Sequence, residues 1–529
     1  MVPRPVFPLL LLFIWLTTAL PGQSTGSPIR DRPNIVLIYA DDLGRGLLGT
    51  YGQRIITTPN IDRLASGGMR FERAYGGTYC APARMSLLTG RHDVANLPWQ
   101  RITRGGIYTR LDNPLDQEEI EARIAATVAP APADEVFLAE VARRAGYTTA
   151  QFGKLEWGFA TTADRLRRHG WDHHFGYYDH VRCHGFYPPF LFENGEKVVI
   201  PGNTHADCAK TKEEISDEAY RDRWDMTGKA VYSEDIIMDR LLGFLDHHHP
   251  GDTGRPFFLY FPTQLPHGPV MIPAVHPDFE DHPELTQIEK EYASMVKMLD
   301  DDVGRILRKL EEMGELENTI IVFTSDNGHE IYYAQPGRTA KGNRTDLAGN
   351  RFDNLTTRYT TAGVGDVFDG NDGMAGHKRS NWEGGTRVPL FWYAPGRIAP
   401  GSVSHQMVSN YDFLNTLAEI VGQPTRPEKD GRSYAATLFG GSAHPRPYTF
   451  TSAPMGPAVV TQDGWKLRYV TAHDRFQLYY LPDDYAEERD LSAAHPDRVD
   501  SLATELLAAC GGDLGNGRGP QELPGPDQR

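Results

Sequence analysis

The chain has 529 residues, 40% of them hydrophobic, which suffices for a large core with an appendage and excludes a disordered chain. Its 54 Lys and Arg against 70 Asp and Glu leave a net charge of −16. That balance speaks against a nucleic-acid partner and leaves any anionic ligand to a local cluster of cations.

Residues 1–25 read as a signal peptide: Arg4 precedes the apolar run Val6 to Leu20, and PGQSTGS follows. An exported protein, periplasmic or extracellular, is expected. The run is short for a membrane span and no later segment is apolar enough, so no stable membrane insertion is expected. NIVLIYA (34–40) predicts a buried strand. TTAQFGK (148–154) predicts a weaker one, after a helix-like segment at 134–145. PFFLYFP (256–262), TIIVFTS (319–325) and VPLFWYAP (388–395) predict further strands, and 287–314 has helical spacing with Gly314 as its stop. This alternation predicts an α/β fold for residues 30–445, a large mixed, mostly parallel sheet sandwiched by helices. Residues 171–203 read as irregular but crowded with His, Tyr and Phe, and 331–377 as a long polar loop. GWKLRYV, FQLYYL and a helix at 496–509 predict a small antiparallel subdomain over 446–510, with 511–529 as a disordered tail.

Four cysteines make no disulfide framework in a chain of this size. Cys183 and Cys208 flank the irregular segment and could pair after export; Cys510 has no evident role. Cys80 has a chemical context, TYCAPARMSLLTGRH. Pro82 suits the first turn of a helix running through Ala83 to Thr89, with Gly90 as its stop. A side chain at that N-terminus sits at the positive end of the helix dipole, where anions bind. Arg84 lies four residues on and can face the same way.

Each strong strand ends in polar residues: Asp41 and Asp42, Lys154 and Glu156, His267, then Asp326, Asn327 and His329. In open α/β sheets ligands bind beyond the carboxyl ends of strands. Singly these residues have plain structural readings: an Asp pair caps helices, Asp-Asn-Gly makes turns, and Lys378 and Arg379 fit a solvated surface. Together with Cys80 and Arg84 they point to one rim. Asp41, Asp42, Asp326 and Asn327 are an all-oxygen set suited to a hard cation, Ca²⁺ or Mg²⁺. With Arg84, Lys154, His267 and Lys378 around it, such a site would hold a tetrahedral oxyanion, a sulfate or phosphate ester.

Cys80-Ala81-Pro82-Ala83-Arg84 has the form C-x-P-x-R. With NIVLIYADDLG, TTPNIDRLASGGMRFERAY, Gly153-Lys154, LPHGP, TIIVFTSDNG and GHKRSNWEGGTRVP, the chain resembles the formylglycine-dependent (type I) sulfatases of the alkaline-phosphatase-like superfamily, over nearly its whole mature length. The resemblance implies that a formylglycine-generating enzyme converts Cys80, whose hydrated aldehyde becomes the nucleophile beside the metal. It also implies that His267 protonates the leaving alkoxide and that Lys154 and Lys378 bind sulfate oxygens.

One departure stands out. Many members read G-K-x-H where this chain has Gly153-Lys154-Leu155-Glu156. Glu156 could take that place as a base, or His184 could supply the imidazole from the irregular segment; the reading leans to His184. At Tyr187-Pro188, Leu191 to Asn194 and Lys378-Arg379 the chain is similar to exported bacterial glycan sulfatases, which implies a sulfated sugar, galactose or N-acetylgalactosamine 4-sulfate in type. His329 and Arg379 are placed on the substrate side, with Trp157, Trp382 and Tyr178 as candidate ring platforms. The rival readings are a phosphodiester or phosphonate ester hydrolase of the same superfamily, and a secreted glycan-binding protein without catalysis.

Overall fold

The computed structural model describes residues 1–2, 32–100, 116–127, 129–155, 162–211, 216–333, 344–345, 350–353, 356–425 and 429–519. The predicted signal peptide therefore lies almost wholly outside the described residues, as do Glu156 and Trp157.

One ten-stranded sheet carries the fold. Its strands are β1 (Asn34–Ala40), β2 (Met69–Phe71), β3 (Thr148–Gly153), β4 (His173–Gly176), β5 (Phe190–Glu193), β6 (Glu196–Val199), β7 (Phe257–Pro262), β8 (Thr319–Ser325), β9 (Leu390–Tyr393) and β10 (Ser402–Ser404). They lie in the order β10-β2-β9-β8-β1-β7-β3-β4-β5-β6. Only β5 and β9 run against the rest, so the sheet is mixed and mostly parallel. β1 shows why its sequence is an unbroken apolar run. Val36, Ile38 and Ala40 join the core on one face of the sheet, and Ile35, Leu37 and Tyr39 join the core on the other. A strand covered on both faces needs no polar alternation.

Two expectations about the central domain differ. The stretch read as irregular, 171–203, contains β4, β5 and β6, which extend the sheet to its edge. Its crowded aromatic residues are core rather than surface: Tyr178 stacks on Phe192 at 4.0 Å. The predicted helix at 134–145 forms only over Leu138–Arg144. The long helix Gln287–Glu312 starts from a capping box between Thr286 and Glu289.

The register brings the polar residues together. Ala40 pairs with Ser325 and Tyr39 with Pro262. β1, β7 and β8 thus end level, and Asp41, Thr263 and Asp326 leave the sheet side by side.

The C-terminal sheet is antiparallel, with β11 (Tyr448–Thr451), β12 (Ala458–Thr461), β13 (Trp465–Val470) and β14 (Arg475–Tyr480) in sequential order. The helix Pro496–Ala509 closes it, and Leu502, Leu506 and the following Cys510 share a core with Val459, Leu467 and Leu478. Residues 511–519 are not the start of a disordered tail. Leu514–Arg518 forms a 3-10 turn, and the Gly517 carbonyl accepts the Ala453 N–H at 3.1 Å; 520–529 lie outside the described residues. Among the described residues no helix is long and apolar enough to cross a membrane.

Candidate active site

The helix begins at Cys80 itself and runs to Thr89, every residue buried, with Gly90 closing it at φ 67°. Pro82 falls in its first turn, where no N–H is needed. The dipole of this helix therefore points its positive end at the ends of β1 and β8. Lys378 Nζ donates to Cys80 Sγ at 3.3 Å, and Sγ lies 3.8 Å from Asp42 Oδ1. Burial pushes the Cys80 thiol far up, with Asp41 adding to it, so unmodified Cys80 is a poor nucleophile here.

Around it lies a dense, wholly buried set of charges. Arg84 Nη2 reaches Asp326 Oδ2 at 3.1 Å and Asp41 Oδ1 at 3.6 Å. Lys154 Nζ meets Asp41 Oδ2 at 2.5 Å, and Lys378 Nζ meets Asp42 Oδ2 at 2.6 Å. Asn327 Nδ2 donates to Asp42 Oδ1 at 2.8 Å, and the Asp42 N–H donates to Asp326 Oδ1 at 2.9 Å. Gly328 lets this Asp-Asn-Gly turn lie flat, because a Cβ there would sit 1.8 Å from the Gly384 carbonyl.

The carboxylates do not share this environment equally. Burial would raise Asp42, but Lys378 and His267 outweigh it and bring its carboxyl to about 2. Asp41 is likewise held well down: burial raises it, but Lys154, His267 and Arg84 prevail. Asp326 goes the other way, to about 8, through burial and its neighbour Asp41. Three carboxyls are thus packed together, and Asp326 is the one whose charged form its surroundings favour least. Asp41 Oδ1 and Asn327 Oδ1 are buried without a hydrogen bond among the described residues. Carboxyl oxygens of Asp41 and Asp42, Cys80 Sγ and a His267 ring nitrogen lie within 4.8 Å of one another. Crowded acidic oxygens with unused lone pairs fit a hard divalent cation.

His267 Nε2 lies 3.0 Å from Lys378 Nζ and 3.5 Å from Asp42 Oδ2, while its Nδ1 faces the Gly268 carbonyl. Burial and Lys378 hold the ring well below the usual histidine range. His184 stacks on His267 with centroids 4.2 Å apart and planes 9° apart, and its Nε2 lies 3.5 Å from Lys154 Nζ.

The structure thus gathers Cys80, Arg84, Lys154, His184, His267, Lys378, Asp41, Asp42, Asp326 and Asn327 in one place. It does not gather all the others. His329 is fully buried behind the site, between the hydroxyls of Tyr292 at 3.0 Å and Tyr333 at 2.8 Å. Trp382 is 1% exposed, packed between Arg468 and Tyr479. Tyr178 is equally buried, so neither ring offers a face to a sugar. Arg379 is partly exposed beside the site and pairs with Glu330 at 2.8 Å. All four cysteines are free thiols, and Cys183 donates to the His180 carbonyl at 2.6 Å instead of pairing with Cys208.

Two residues escaped sequence reasoning. The Tyr332 hydroxyl donates to Asp42 Oδ2, and Lys378 Nζ lies 3.3 Å from it. The His180 ring stands edge-on to His184, with centroids 5.1 Å apart. Tyr332 lies six residues after Asp326 in the segment read as loop, so proximity to S-D-N-G was its one signal.

This fold and site define an α/β enzyme with a buried, charge-dense cluster at the carboxyl edge of its central sheet. The Sulfatase family model matches residues 33–423. The chain belongs to the sulfatase family, within the alkaline-phosphatase-like superfamily, and is a sulfuric ester hydrolase. It is 30% identical over 455 residues to N-acetylgalactosamine-6-sulfatase of Rattus norvegicus, covering 82% of this chain and 71% of that protein. It is 28% identical over 534 residues to arylsulfatase A of Bos taurus, covering 94% and 89%. A solved structure from work on glycosaminoglycan metabolism by Bacteroides thetaiotaomicron has the same fold, with a TM-score of 0.68 at 23% identity over 91% of this chain and 100% of that one.

Proposed function

We propose that this sulfatase removes sulfate from a sulfated carbohydrate, on a galactose or N-acetylgalactosamine unit, with residue 80 as its nucleophile after conversion of Cys80 to formylglycine. The observation that carries this is the placement of Cys80 at a helix N-terminus, 3.3 Å from the Lys378 ammonium and facing the Asp42 carboxylate. The sugar class is supported by the name of the rat relative.

A hydrated formylglycine would supply a hydroxyl to attack sulfur, and Ca²⁺ or Mg²⁺ would lower that hydroxyl's pKa and neutralise sulfate charge. Asp41, Asp42, Asp326 and Asn327 would hold the cation together with the side chain at 80. Arg84, fixed by Asp41 and Asp326, keeps a permanent positive charge under the nucleophile. Lys154 and Lys378 take sulfate oxygens. The Nδ1–H of His267 is directed at the Gly268 carbonyl, which leaves Nε2 as the acceptor of a Lys378 proton at 3.0 Å. As charge develops on the leaving oxygen, a proton would pass from the Lys378 ammonium to His267 Nε2 and from there to the departing sugar oxygen, leaving Lys378 neutral, His267 neutral as before and the sugar as its alcohol. His184, stacked on His267 and next to Lys154, supplies the imidazole absent from Gly153-Lys154-Leu155-Glu156.

The test is the mass of the Cys80 peptide from protein made with a formylglycine-generating enzyme, followed by sulfate release. The panel holds 4- and 6-sulfated galactose and N-acetylgalactosamine, with a phosphodiester and a phosphonate ester as controls. An aldehyde with sulfate release from the sugars is expected. An unmodified thiol beside a matured control protein refutes the nucleophile, and preference for the phosphorus esters refutes the substrate. Export is part of the same reading; recovery of an N-terminally trimmed chain outside the cytoplasm checks it.

A further inference from the structure

Lys378 lies on a tight turn that its own residues do not hold alone. Arg379 has a left-handed φ of 72°, unfavourable for a residue with a side chain. Within the turn, the Ser380 hydroxyl donates to the His377 carbonyl at 2.6 Å, and from outside it the His329 carbonyl accepts the Lys378 N–H at 3.0 Å. The outer brace comes from the C-terminal sheet. Arg468, on β13, is wholly buried. Its Nε donates to Asn381 Oδ1 at 2.8 Å, and its guanidinium carbon lies 3.3 Å from the centre of the Trp382 ring. Its Nη1 donates to Gln477 Oε1 at 3.0 Å, which fixes the guanidinium to β14.

The same subdomain holds the other arm of the site. The Thr78 hydroxyl donates to the Ser452 carbonyl at 2.7 Å, two residues before Cys80. The Thr78 carbonyl accepts the Arg379 N–H at 2.5 Å, and Asn381 Nδ2 donates to the Gly456 carbonyl at 2.7 Å. The Cys80 and Lys378 arms are therefore tied to each other and to one sheet.

Arg468 is an expensive residue for a purely structural purpose. Burial lowers its pKa to about 10, and Glu487, whose charge it feels, is taken by Lys466 at 2.9 Å. A buried guanidinium with no carboxylate in ion-pair contact among the described residues is a poor stabiliser compared with an apolar side chain of the same volume.

We propose that Arg468 is a positioning residue: by gripping Asn381 and Trp382 it fixes the turn that presents the Lys378 ammonium to residue 80 and His267. This rests on the reading of Lys378 as a working group of the site. It assigns the C-terminal subdomain a part in the chemistry that no contact with substrate would reveal.

The test uses the full chain matured at residue 80, with an activated aryl sulfate as substrate. Lys378→Ala, Arg468→Met, Arg468→Lys and the double variants Arg468→Met/Lys378→Ala and Arg468→Lys/Lys378→Ala are compared, with circular dichroism to confirm folding. Arg468→Met is expected to lower kcat about tenfold or more with KM within about threefold, and Arg468→Lys to recover part of the loss. In the Lys378→Ala background either Arg468 change is expected to alter kcat less than about twofold, because the group it positions is gone. Wild-type kcat in Arg468→Met, or the same fold-loss with and without Lys378, overturns the positioning role. If Arg468→Met does not fold, the two Arg468→Lys variants carry the same comparison. Wild-type kcat in Lys378→Ala overturns the assignment of Lys378, and the role of Arg468 with it.

Discussion

Glu234 offers a way to perturb the scaffold under the site without touching the chemistry. It is the second residue of the helix Ser233–His247 and is 1% exposed. One carboxyl oxygen accepts the Thr263 hydroxyl, while the other is buried without a hydrogen bond among the described residues. Thr263 follows β7 directly and leads into the segment that carries His267. A carboxylate near a helix N-terminus is ordinarily favoured, yet burial dominates and raises Glu234 from 4.5 to about 7, with Asp235 and Asp41 adding to it. Because the folded state keeps this proton longer than the unfolded chain, the unfolded chain binds fewer protons between about pH 4.5 and 7. Stability contributed at this residue therefore falls as pH rises through that window and levels off above it. At about 1.4 kcal/mol for each tenfold, the loss between pH 5 and pH 8 is on the order of 2–3 kcal/mol. Glu234→Gln keeps the shape and removes the charge. Urea unfolding should show the variant close to wild type at pH 5 and more stable by about 2–3 kcal/mol at pH 8, with kcat unchanged. A difference between variant and wild type that does not change with pH would refute the reasoning.

Chelation should lower kcat by about a hundredfold or more, with recovery on adding Ca²⁺ or Mg²⁺, because the oxygens crowded beside residue 80, two of them without a hydrogen bond among the described residues, would hold the cation that activates the nucleophile; calorimetric titration of the stripped enzyme gives the affinity. Lys154→Met should reduce kcat/KM about 10²- to 10³-fold, and it should destabilise the cation-free protein by about 2–4 kcal/mol because Asp41 loses its shorter ion pair and keeps only Arg84. Excess Ca²⁺ should restore the melting temperature of that variant but not its turnover. Trp382→Ala should cost about 3–5 kcal/mol of stability and leave KM for a sulfated sugar unchanged; a raised KM at unchanged stability would put the ring on the substrate side.

Local signals carried a good deal of this protein. NIVLIYA and TIIVFTS became strands over the residues predicted, because an apolar β-branched run bounded by polar residues has few other ways to be buried. The Pro496–Ala509 helix also formed as read, with Pro in its first turn. Polar residues at strand ends pointed to one rim because parallel strands place their carboxyl ends together.

What the sequence could not decide depends on distant partners. Trp382 looks the same in a sequence whether its ring meets a sugar or Arg468, and a strand 86 residues further along the chain made the difference. β5 and β6 look irregular locally, since their strand character comes from pairing at the sheet edge. Tyr332 joined the site only when its loop folded back onto Asp42, and Cys183 gives its thiol proton to the His180 carbonyl of its own turn. Composition and spacing determine which residues prefer to be buried or charged. Which of them meet is set by register and by contacts between segments hundreds of residues apart, and the 3.3 Å between Lys378 and Cys80 is one of those.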